Sequence, residues 1–157
     1  QNQAIPTLDG LDDRDSDNGI ALRYSKFIDD DLFYIDVATL GTFSKVDGWL
    51  VDTFYSHLIQ HRNWDIYLGT GATFYSSGVV NYYLGVTPSE ANDYRPEHKG
   101  DSAFLLQAEI NAQHPISENW SFKAGISQKY YSKEIIKSPL ADKQHITQVL
   151  IGVMYVF

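Results

Sequence analysis

The sequence predicts an all-β protein, and within that class an antiparallel up-and-down transmembrane β-barrel. Three observations lead to this prediction: an alternating C-terminal segment that ends on an aromatic residue, six further alternating segments, and a largely polar second face on these segments. Segments of about 9 to 14 residues can cross a bilayer when tilted, whereas strands of soluble proteins are usually about 5 to 6 residues long. A soluble β-sandwich is the alternative that these observations disfavour.

The composition is compatible with this class. The chain has 157 residues, which suits one domain, and it contains no apolar run long enough for a transmembrane helix. The mean hydropathy of -0.29 does not argue against a membrane location, because alternating lipid-facing and lumen-facing residues average the hydropathy of a barrel. The net charge of -8 disfavours nucleic acid as a partner, and the absence of Cys excludes disulfides and thiolate chemistry.

The first four predicted strands cover residues 19–27, 31–43, 48–59 and 64–75, with turn residues between them. The fourth strand carries Gly69 and Gly71 on its polar face. Glycine weakens a strand unless a bulky neighbour needs the room, and long side chains in a narrow lumen would need it. The apolar faces of the four strands include Ile20, Leu22 and Tyr24, then Phe33, Ile35 and Val37, then Trp49, Val51 and Tyr55, and finally Trp64, Ile66, Leu68, Ala72 and Phe74.

The last three predicted strands cover residues 103–114, 119–131 and 144–157. The fifth and sixth alternate apolar residues with polar ones such as Gln107, Glu109 and Lys123, a pattern unlike a hydrophobic core. The final strand ends the chain on an aromatic residue, as outer-membrane proteins commonly do, and its pattern is typical of their assembly signal. One face of this strand consists of Val149, Ile151, Val153, Tyr155 and Phe157.

Loop lengths predict the orientation of the barrel. Connections near residues 77–102 and 132–143 are long and are expected outside the cell, whereas the connections between strands one and two, three and four, and five and six are short and are expected in the periplasm. Residues 1–18 are expected to be an acidic loop or lead-in. Because bacterial single-chain barrels have an even number of strands, the seven strands predict that this sequence lacks an N-terminal portion with an odd number of strands, or that it is a fragment.

The predicted polar face carries seven charges. Two interpretations are open: the lining of a selective channel, and a paired network that fills a narrow lumen, since buried charges need partners. The network is the interpretation that the sequence favours. The charges are Arg23, Asp36, Asp52, Asp65, Glu109, Lys123 and Lys129.

No catalytic, cofactor or metal site is predicted. The acidic run from Asp9 to Asp17 does not match the ligand order of an EF-hand and is interpreted as solvated. None of the five His residues lies in a recognisable motif, and His61 and His114 lie beside predicted periplasmic turns, as a residue at the barrel rim would. Tyr82, Tyr83, Tyr94 and Arg95 of the long loop are predicted either to form a binding surface or to plug the barrel mouth.

Several segments resemble the MltA-interacting protein family, also called MipA/OmpV. They are LDGLDDRDSDNGIALRY, NYYLGVTPSEANDYRP, and the ending from ENWSF through the Ser-Pro loop to the aromatic terminus. The likeness spans nearly the whole chain and about the C-terminal two thirds of a family member, which agrees with the missing strands. The most specific motif consists of Tyr83, Gly85, Val86, Pro88, Glu90 and Ala91.

The resemblance implies a Gram-negative outer-membrane barrel, in contact with outer-membrane lipid and linked to peptidoglycan synthesis and turnover. A member of the family is described as a scaffold between a membrane-bound lytic transglycosylase and a bifunctional murein synthase. We therefore expect a non-enzymatic scaffold or interaction protein, with a small-solute channel or adhesin as the alternative and a lipid-modifying enzyme as the third. Fold and family alone do not fix which of these applies.

Overall fold

The computed structural model describes residues 10–12, 19–41 and 47–156. Seven strands form one antiparallel sheet in which each strand pairs with its neighbours in sequence. The all-β, up-and-down fold predicted from the sequence is therefore confirmed, and it is consistent with a barrel. Within the described ranges β1 and β7 form the two edges of the sheet. The strands are β1 (Gly19–Ile28), β2 (Asp31–Leu40), β3 (Gly48–His61), β4 (Trp64–Tyr75), β5 (Ala103–Pro115), β6 (Trp120–Tyr131) and β7 (His145–Tyr155).

Three short turns lie at one end of the sheet, which we call the short-turn end. Asp29 and Arg62 open two of these turns with φ of 51° and 54°, so each of these hairpins reverses over two residues. The third turn is closed by hydrogen bonds from the amides of Ile116 and Ser117 to the carbonyl of Trp120, with N···O distances of 2.7 and 3.1 Å. The opposite end, which we call the long-loop end, carries the connections between β4 and β5 and between β6 and β7.

Both long connections contain a helix that the sequence analysis does not predict. These are α1 (Ser77–Leu84) and α2 (Lys133–Ile136). The Val and Tyr residues of α1 favour extended structure locally, but α1 packs tightly against the start of β3. A Cβ atom on Gly48 would lie 2.7 Å from the Val79 side chain, and one on Gly78 would lie 1.7 Å from the carbonyl oxygen of Asp47. Tertiary packing through these glycines therefore overrides the local preference.

The buried apolar residues gather where the helices meet the sheet. Val80, Ala103 and Ile135 form a cluster against which Tyr75 and Tyr131 pack. The strands themselves leave large apolar side chains exposed on one face, including Leu22 at 75 % and Ile151 at 73 %. None of the helices in the described ranges is long and apolar enough to cross a membrane. The sheet thus has an apolar face that it does not cover with its own residues.

At the short-turn end, aromatic side chains border this apolar face. The Trp64 ring stacks on His114 with centroids 4.7 Å apart and meets Phe122 edge-on at 6.3 Å. The Trp120 ring lies 4.9 Å from that of Tyr155. These residues form one aromatic border of the apolar face.

A second aromatic border lies at the long-loop end of the same face. Trp49 stacks on Phe74 at 5.4 Å, and Tyr130 contacts Phe104 at 6.5 Å and His145 at 5.1 Å. On β4 the two borders are represented by Trp64 and Phe74, which are ten positions apart. This corresponds to about 33 Å along the strand and to about 25 Å of membrane thickness at a tilt of about 40°. This spacing matches the apolar band between the aromatic girdles of outer-membrane barrels.

Candidate functional site

The polar face of the sheet carries the charged residues. In an antiparallel pair, side chains that face each other across the register point to the same side, and Arg23, Asp36, Asp52 and Thr73 follow one another across β1 to β4. The same register, followed through β5 to β7, puts all seven charges singled out in the sequence on this one face. The structure therefore brings them to one surface.

An ion pair and an aromatic stack organise the β1 side of the polar face. The Arg23 guanidinium donates two hydrogen bonds to the Asp36 carboxylate, one of them from Nε to Oδ1 at 2.6 Å. Its Cζ also lies 4.8 Å from the centroid of the Tyr34 ring, which stacks on Phe54 at 5.5 Å. Two contacts therefore fix the Arg23 guanidinium, as bidentate and cation–π geometry allow.

The glycines of β4 give Phe54 its room. A Cβ atom on Gly69 would lie 2.6 Å from Cζ of Phe54 and 2.8 Å from Cγ of Glu109, and one on Gly71 would lie 2.9 Å from Cδ2 of Phe54. The reason that the sequence suggests for these glycines, bulky side chains across the polar face, agrees with these contacts. Gly125 of β6 gives similar room to Asn111, whose Oδ1 would lie 2.1 Å from an added Cβ.

Hydrogen bonds hold three more of the carboxylates. The Thr73 hydroxyl donates to Asp52 at 2.5 Å, and Gln60 Nε2 donates to Asp65 at 3.1 Å. Glu109 accepts hydrogen bonds from the side-chain amides of Gln107 at 3.2 Å and Asn111 at 2.9 Å.

The two lysines of β6 differ from the other charged residues of the polar face in their contacts. In the part of the chain that the structure describes, Lys123 and Lys129 form no ion pair. The polar face thus contains both a paired side and two cations without an ionic partner.

The two helices cover the polar face at the long-loop end. Ser138, which is 2 % exposed, donates its hydroxyl proton to the carbonyl of Leu84 at 2.6 Å and so ties the segment after α2 to the end of α1. Beneath this helical cap lies an apolar cavity of about 440 Å³. Its walls are Leu40, Leu50, Tyr75, Val79, Val80, Tyr83, Leu84, Tyr131 and Ile135.

The family-like motif builds the loop that follows α1. Glu90 is 3 % exposed and accepts hydrogen bonds from the Thr87 amide at 2.9 Å, the Thr87 hydroxyl at 2.8 Å and the Asp12 amide at 3.2 Å. Arg95 is 2 % exposed and donates from Nε and Nη2 to the carbonyl of Glu90 at 3.2 and 2.6 Å. The motif therefore holds the loop closed on itself and on residues 10–12.

The remaining motif residues set the path of this loop. Gly85 ends α1 and donates its amide proton to the carbonyl of Asn81. Val86 is buried and pairs with His98 through two backbone hydrogen bonds of 2.9 and 3.0 Å. Tyr83 contacts Tyr82 edge-on at 5.0 Å, whereas Pro88 is exposed and Ala91 is half-buried. The motif thus contains loop-shaping residues as well as the buried Glu90.

The proposed binding residues of the long loop separate in the structure. Tyr94 is 88 % exposed at the tip, while Arg95 is buried beneath it. Tyr82 and Tyr83 lie on α1 within the helical cap. The four residues therefore do not form one surface.

The assembly segment lies on the apolar face. Val149, Ile151 and Val153 are exposed at 69, 73 and 58 %, and Tyr155 belongs to the aromatic border at the short-turn end. Phe157 lies outside the described residues, as do Asp9, Asp13, Asp15 and Asp17 of the acidic run.

Sequence reasoning did not identify two groups of residues. Strand alternation places Tyr34 and Phe54 on the polar face, but their stacking on each other and the contact of Tyr34 with Arg23 were not predicted. Gly71, opposite Phe54, was the available signal for a bulky side chain there. Asp31, Tyr55 and His57 form a polar cluster on the apolar face, with His57 Nδ1 2.7 Å from Asp31 Oδ1. Asp31 lies on β2, whereas Tyr55 and His57 lie on β3, so the three residues form no motif in the sequence. Only the register between the two strands shows that they are neighbours.

Comparisons with known proteins agree with this architecture. The family model described as MltA-interacting protein MipA matches residues 3–157. The chain is also 22 % identical over 121 residues to "Putative outer membrane protein YiaT" of Escherichia coli K12, and to the same-named protein of Escherichia coli O157:H7. No solved structure matches.

The extent of these matches differs between the family and the relatives. The alignments to the two Escherichia coli proteins cover 76 % of this chain but 49 % of each relative, so the chain spans about half of their length. The family model covers the chain almost from end to end. These findings identify an outer-membrane protein of the Gram-negative type, and the chain belongs to the MltA-interacting protein MipA family.

Proposed function

We propose that this chain belongs to a non-enzymatic outer-membrane β-barrel that acts as a scaffold in peptidoglycan synthesis and turnover. The observation that carries the proposal is the filling of the polar face by Arg23, Tyr34 and Phe54 together with the helical cap over its long-loop end. In a barrel of this kind the polar face is the interior. Side chains and helices that occupy the interior leave the protein suited to binding partners rather than to conducting solutes.

Two of the five histidines make structural contacts. His57 is paired with Asp31, yet among the described residues no Ser, Thr or Cys side chain hydrogen-bonds to its ring. His114 Nδ1 lies 2.9 Å from the carbonyl oxygen of Asn63 and serves the aromatic border. Among the described residues, neither histidine therefore has the neighbouring nucleophile that covalent hydrolysis requires.

The family points to the partners. Its description names an interaction with MltA, a lytic transglycosylase, and the resemblance discussed above adds a bifunctional murein synthase. Both would reach the barrel from the periplasm, where we place the short-turn end because outer-membrane barrels have short periplasmic turns. Asp30, Arg62, Asn63 and Glu118 are exposed there and would be the first contact points.

A small-solute channel is the second candidate. Lys123 and Lys129 favour it, because cations without an ionic partner on the polar face could attract anionic solutes. The width of the lumen decides between this function and a filled interior.

The test combines capture with conductance, both on the full-length protein. Detergent-extracted protein is incubated with the purified lytic transglycosylase and recovered on an affinity resin, and the same preparation is inserted into planar bilayers. We expect capture of the enzyme and no stepwise conductance. Stable conductance steps without capture would contradict the scaffold and establish the channel.

Two variants locate the binding surface. Arg62→Gly removes an exposed side chain at the short-turn end and suits the positive φ of that position. Tyr94→Ala removes an exposed side chain at the long-loop end. We expect Arg62→Gly to weaken capture and Tyr94→Ala to leave it unchanged, whereas the reverse result would place the partner outside the cell.

A further inference from the structure

A polar cluster interrupts the apolar face near the short-turn end. The register places Asp31, the first residue of β2, opposite His57 of β3. His57 Nδ1 lies 2.7 Å from Asp31 Oδ1, and the Tyr55 hydroxyl donates to the same oxygen at 2.9 Å. Both side chains that contact the Asp31 carboxylate here thus come from β3.

In the described part of the chain, the cluster leaves one oxygen of Asp31 and one ring nitrogen of His57 without a hydrogen bond. Within the described ranges Asp31 Oδ2 and His57 Nε2 make no hydrogen bond, and their side chains are 39 and 43 % exposed. When Nδ1–H of a neutral imidazole donates to a carboxylate, Nε2 carries the free lone pair. Because Nε2 points away from the Nδ1–Asp31 contact, the acceptor that remains open beside the pair is Asp31 Oδ2. A carboxylate oxygen suits a charged donor such as a primary ammonium.

A groove leads from this cluster towards the middle of the apolar face. A hollow of about 420 Å³ contains the cluster together with Leu68 and Thr70. A second hollow of about 300 Å³ shares Tyr55 and Thr70 with the first and continues along the strands. Its apolar wall includes Phe33, Ala72 and Leu106. The site thus has a polar end and an apolar body, as an amphiphile has.

The position of the cluster fits the headgroup region of a membrane. β2 begins at Asp31, next to the short turn, so the cluster lies at the border of the apolar face rather than at its centre. Charged groups on the lipid-facing side are costly at the bilayer midplane and cost little near the interface. Lys26 is exposed on the same face, opposite Phe33, and adds a cation beside the cluster.

We propose that this groove binds one phospholipid whose headgroup contains a primary amine. The ammonium donates to Asp31 Oδ2, the lipid phosphate lies near Lys26, and one acyl chain follows Phe33, Ala72 and Leu106. A quaternary ammonium has no N–H group and cannot donate to this oxygen, so the site discriminates between amine and choline headgroups. The inference rests on the proposed barrel, in which the apolar face contacts lipid.

Native mass spectrometry of the full-length protein in mild detergent tests the proposal. The protein is titrated with a phosphoethanolamine lipid or a phosphocholine lipid of identical acyl chains. We expect about tenfold tighter binding of the amine lipid, which corresponds to about 1.4 kcal/mol. Asp31→Asn is expected to reduce this preference to less than about twofold, because the charge that attracts the ammonium is lost.

Matched variants separate the headgroup from the acyl groove. His61→Gln changes an exposed His four residues from His57 on the same face of β3, and it should leave the preference intact. Ala72→Leu fills the groove and should weaken both lipids several-fold, whereas Ala124→Leu, on the same face of β6, should weaken neither.

Heat-dependent gel mobility, run on every variant, reports whether the barrel is folded. Equal binding of the two lipids by wild-type protein with a normal heat shift would overturn this inference and leave the barrel standing. An unchanged preference in folded Asp31→Asn would overturn it as well. A wild-type protein without any heat shift would overturn the inference and the proposed function together.

Discussion

At the scale of single residues, the polar face depends on positions without a side chain. Gly69 lies under the ring of Phe54, and an added Cβ would lie 2.6 Å from that ring and 2.8 Å from Glu109. Gly152 lies on the same face of β7, and no atom of the described residues lies within 4 Å of such a Cβ. The two glycines therefore form a matched pair of crowded and open positions.

We expect Gly69→Val to destabilise the protein by about 1–3 kcal/mol, because Phe54 and Glu109 must move out of their packed positions. Gly152→Val should stay close to wild type or be slightly more stable, since a β-branched residue favours a strand. Urea unfolding in lipid vesicles, followed by tryptophan fluorescence, measures both variants. Equal effects at the two positions would show that Phe54 does not pack as described.

A second residue-scale prediction concerns Glu90. Its carboxylate accepts hydrogen bonds from the Thr87 amide and hydroxyl and from the Asp12 amide. Glu90→Ala removes these acceptors, and a buried donor left without a partner costs about 1–3 kcal/mol. The loop should open more often, so trypsin should cut after Lys99 at lower concentration, whereas Pro96 protects the bond after Arg95.

The control for this prediction is Tyr94→Ala in the same loop. The Tyr94 side chain is 88 % exposed, so its removal should leave the cleavage pattern unchanged. Mass spectrometry of the fragments locates the cut. Resistance of Glu90→Ala to trypsin at the wild-type level would show that the loop is held by other contacts.

At the scale of elements, the α1–α2 cap depends on one hydroxyl group. Ser138 donates to the carbonyl of Leu84, the last residue of α1, at 2.6 Å. Ser138→Ala leaves this carbonyl without that donor, a loss of about 1 kcal/mol, and amide exchange in α1 should become about fivefold faster. Exchange in the central strands β3 to β6 should not change. Ser89→Ala, an exposed serine bonded to Thr87, is the control.

The strands were predictable from the sequence, and the helices were not. Alternation of apolar and polar residues reports which face a side chain takes, and that signal is strong where one face meets lipid and the other meets polar groups, as in β5 and β6. In α1, Val79 and Val80 are intrinsically poor helix formers, and only Gly48 and Gly78 allow the helix to approach β3. Sequence spacing does not reveal this long-range contact.

The site residues also differ in whether the sequence could predict their positions. The charges of the polar face follow from strand parity, so their common surface was predictable before the structure. The pairing of Asp31 with His57 depends on the register between β2 and β3, since a slip of one residue would place the two on opposite faces. The burial of Arg95 depends on the fold of the long loop, which has no periodic pattern.

At the scale of the whole molecule, the decisive question is which face meets the membrane. Ile126 lies near the middle of β6 on the apolar face and is 49 % exposed, whereas the neighbouring Ser127 lies on the polar face opposite Glu109. In an outer-membrane barrel, arginine on the lipid-facing side near the midplane costs about 2–4 kcal/mol. Arginine at position 127 could instead pair with the Glu109 carboxylate.

We therefore expect Ile126→Arg to lower the folded fraction of the full-length protein in vesicles, and Ser127→Arg to keep it near the wild-type level. The folded fraction is read as the gel band that shifts on boiling, after refolding across a urea series. In a soluble β-sandwich the exposed face would tolerate Ile126→Arg, and the protein would fold without vesicles. Folding of Ile126→Arg at wild-type yield would consequently reverse the assignment of the apolar face to lipid, and with it the membrane placement of the amine-binding groove.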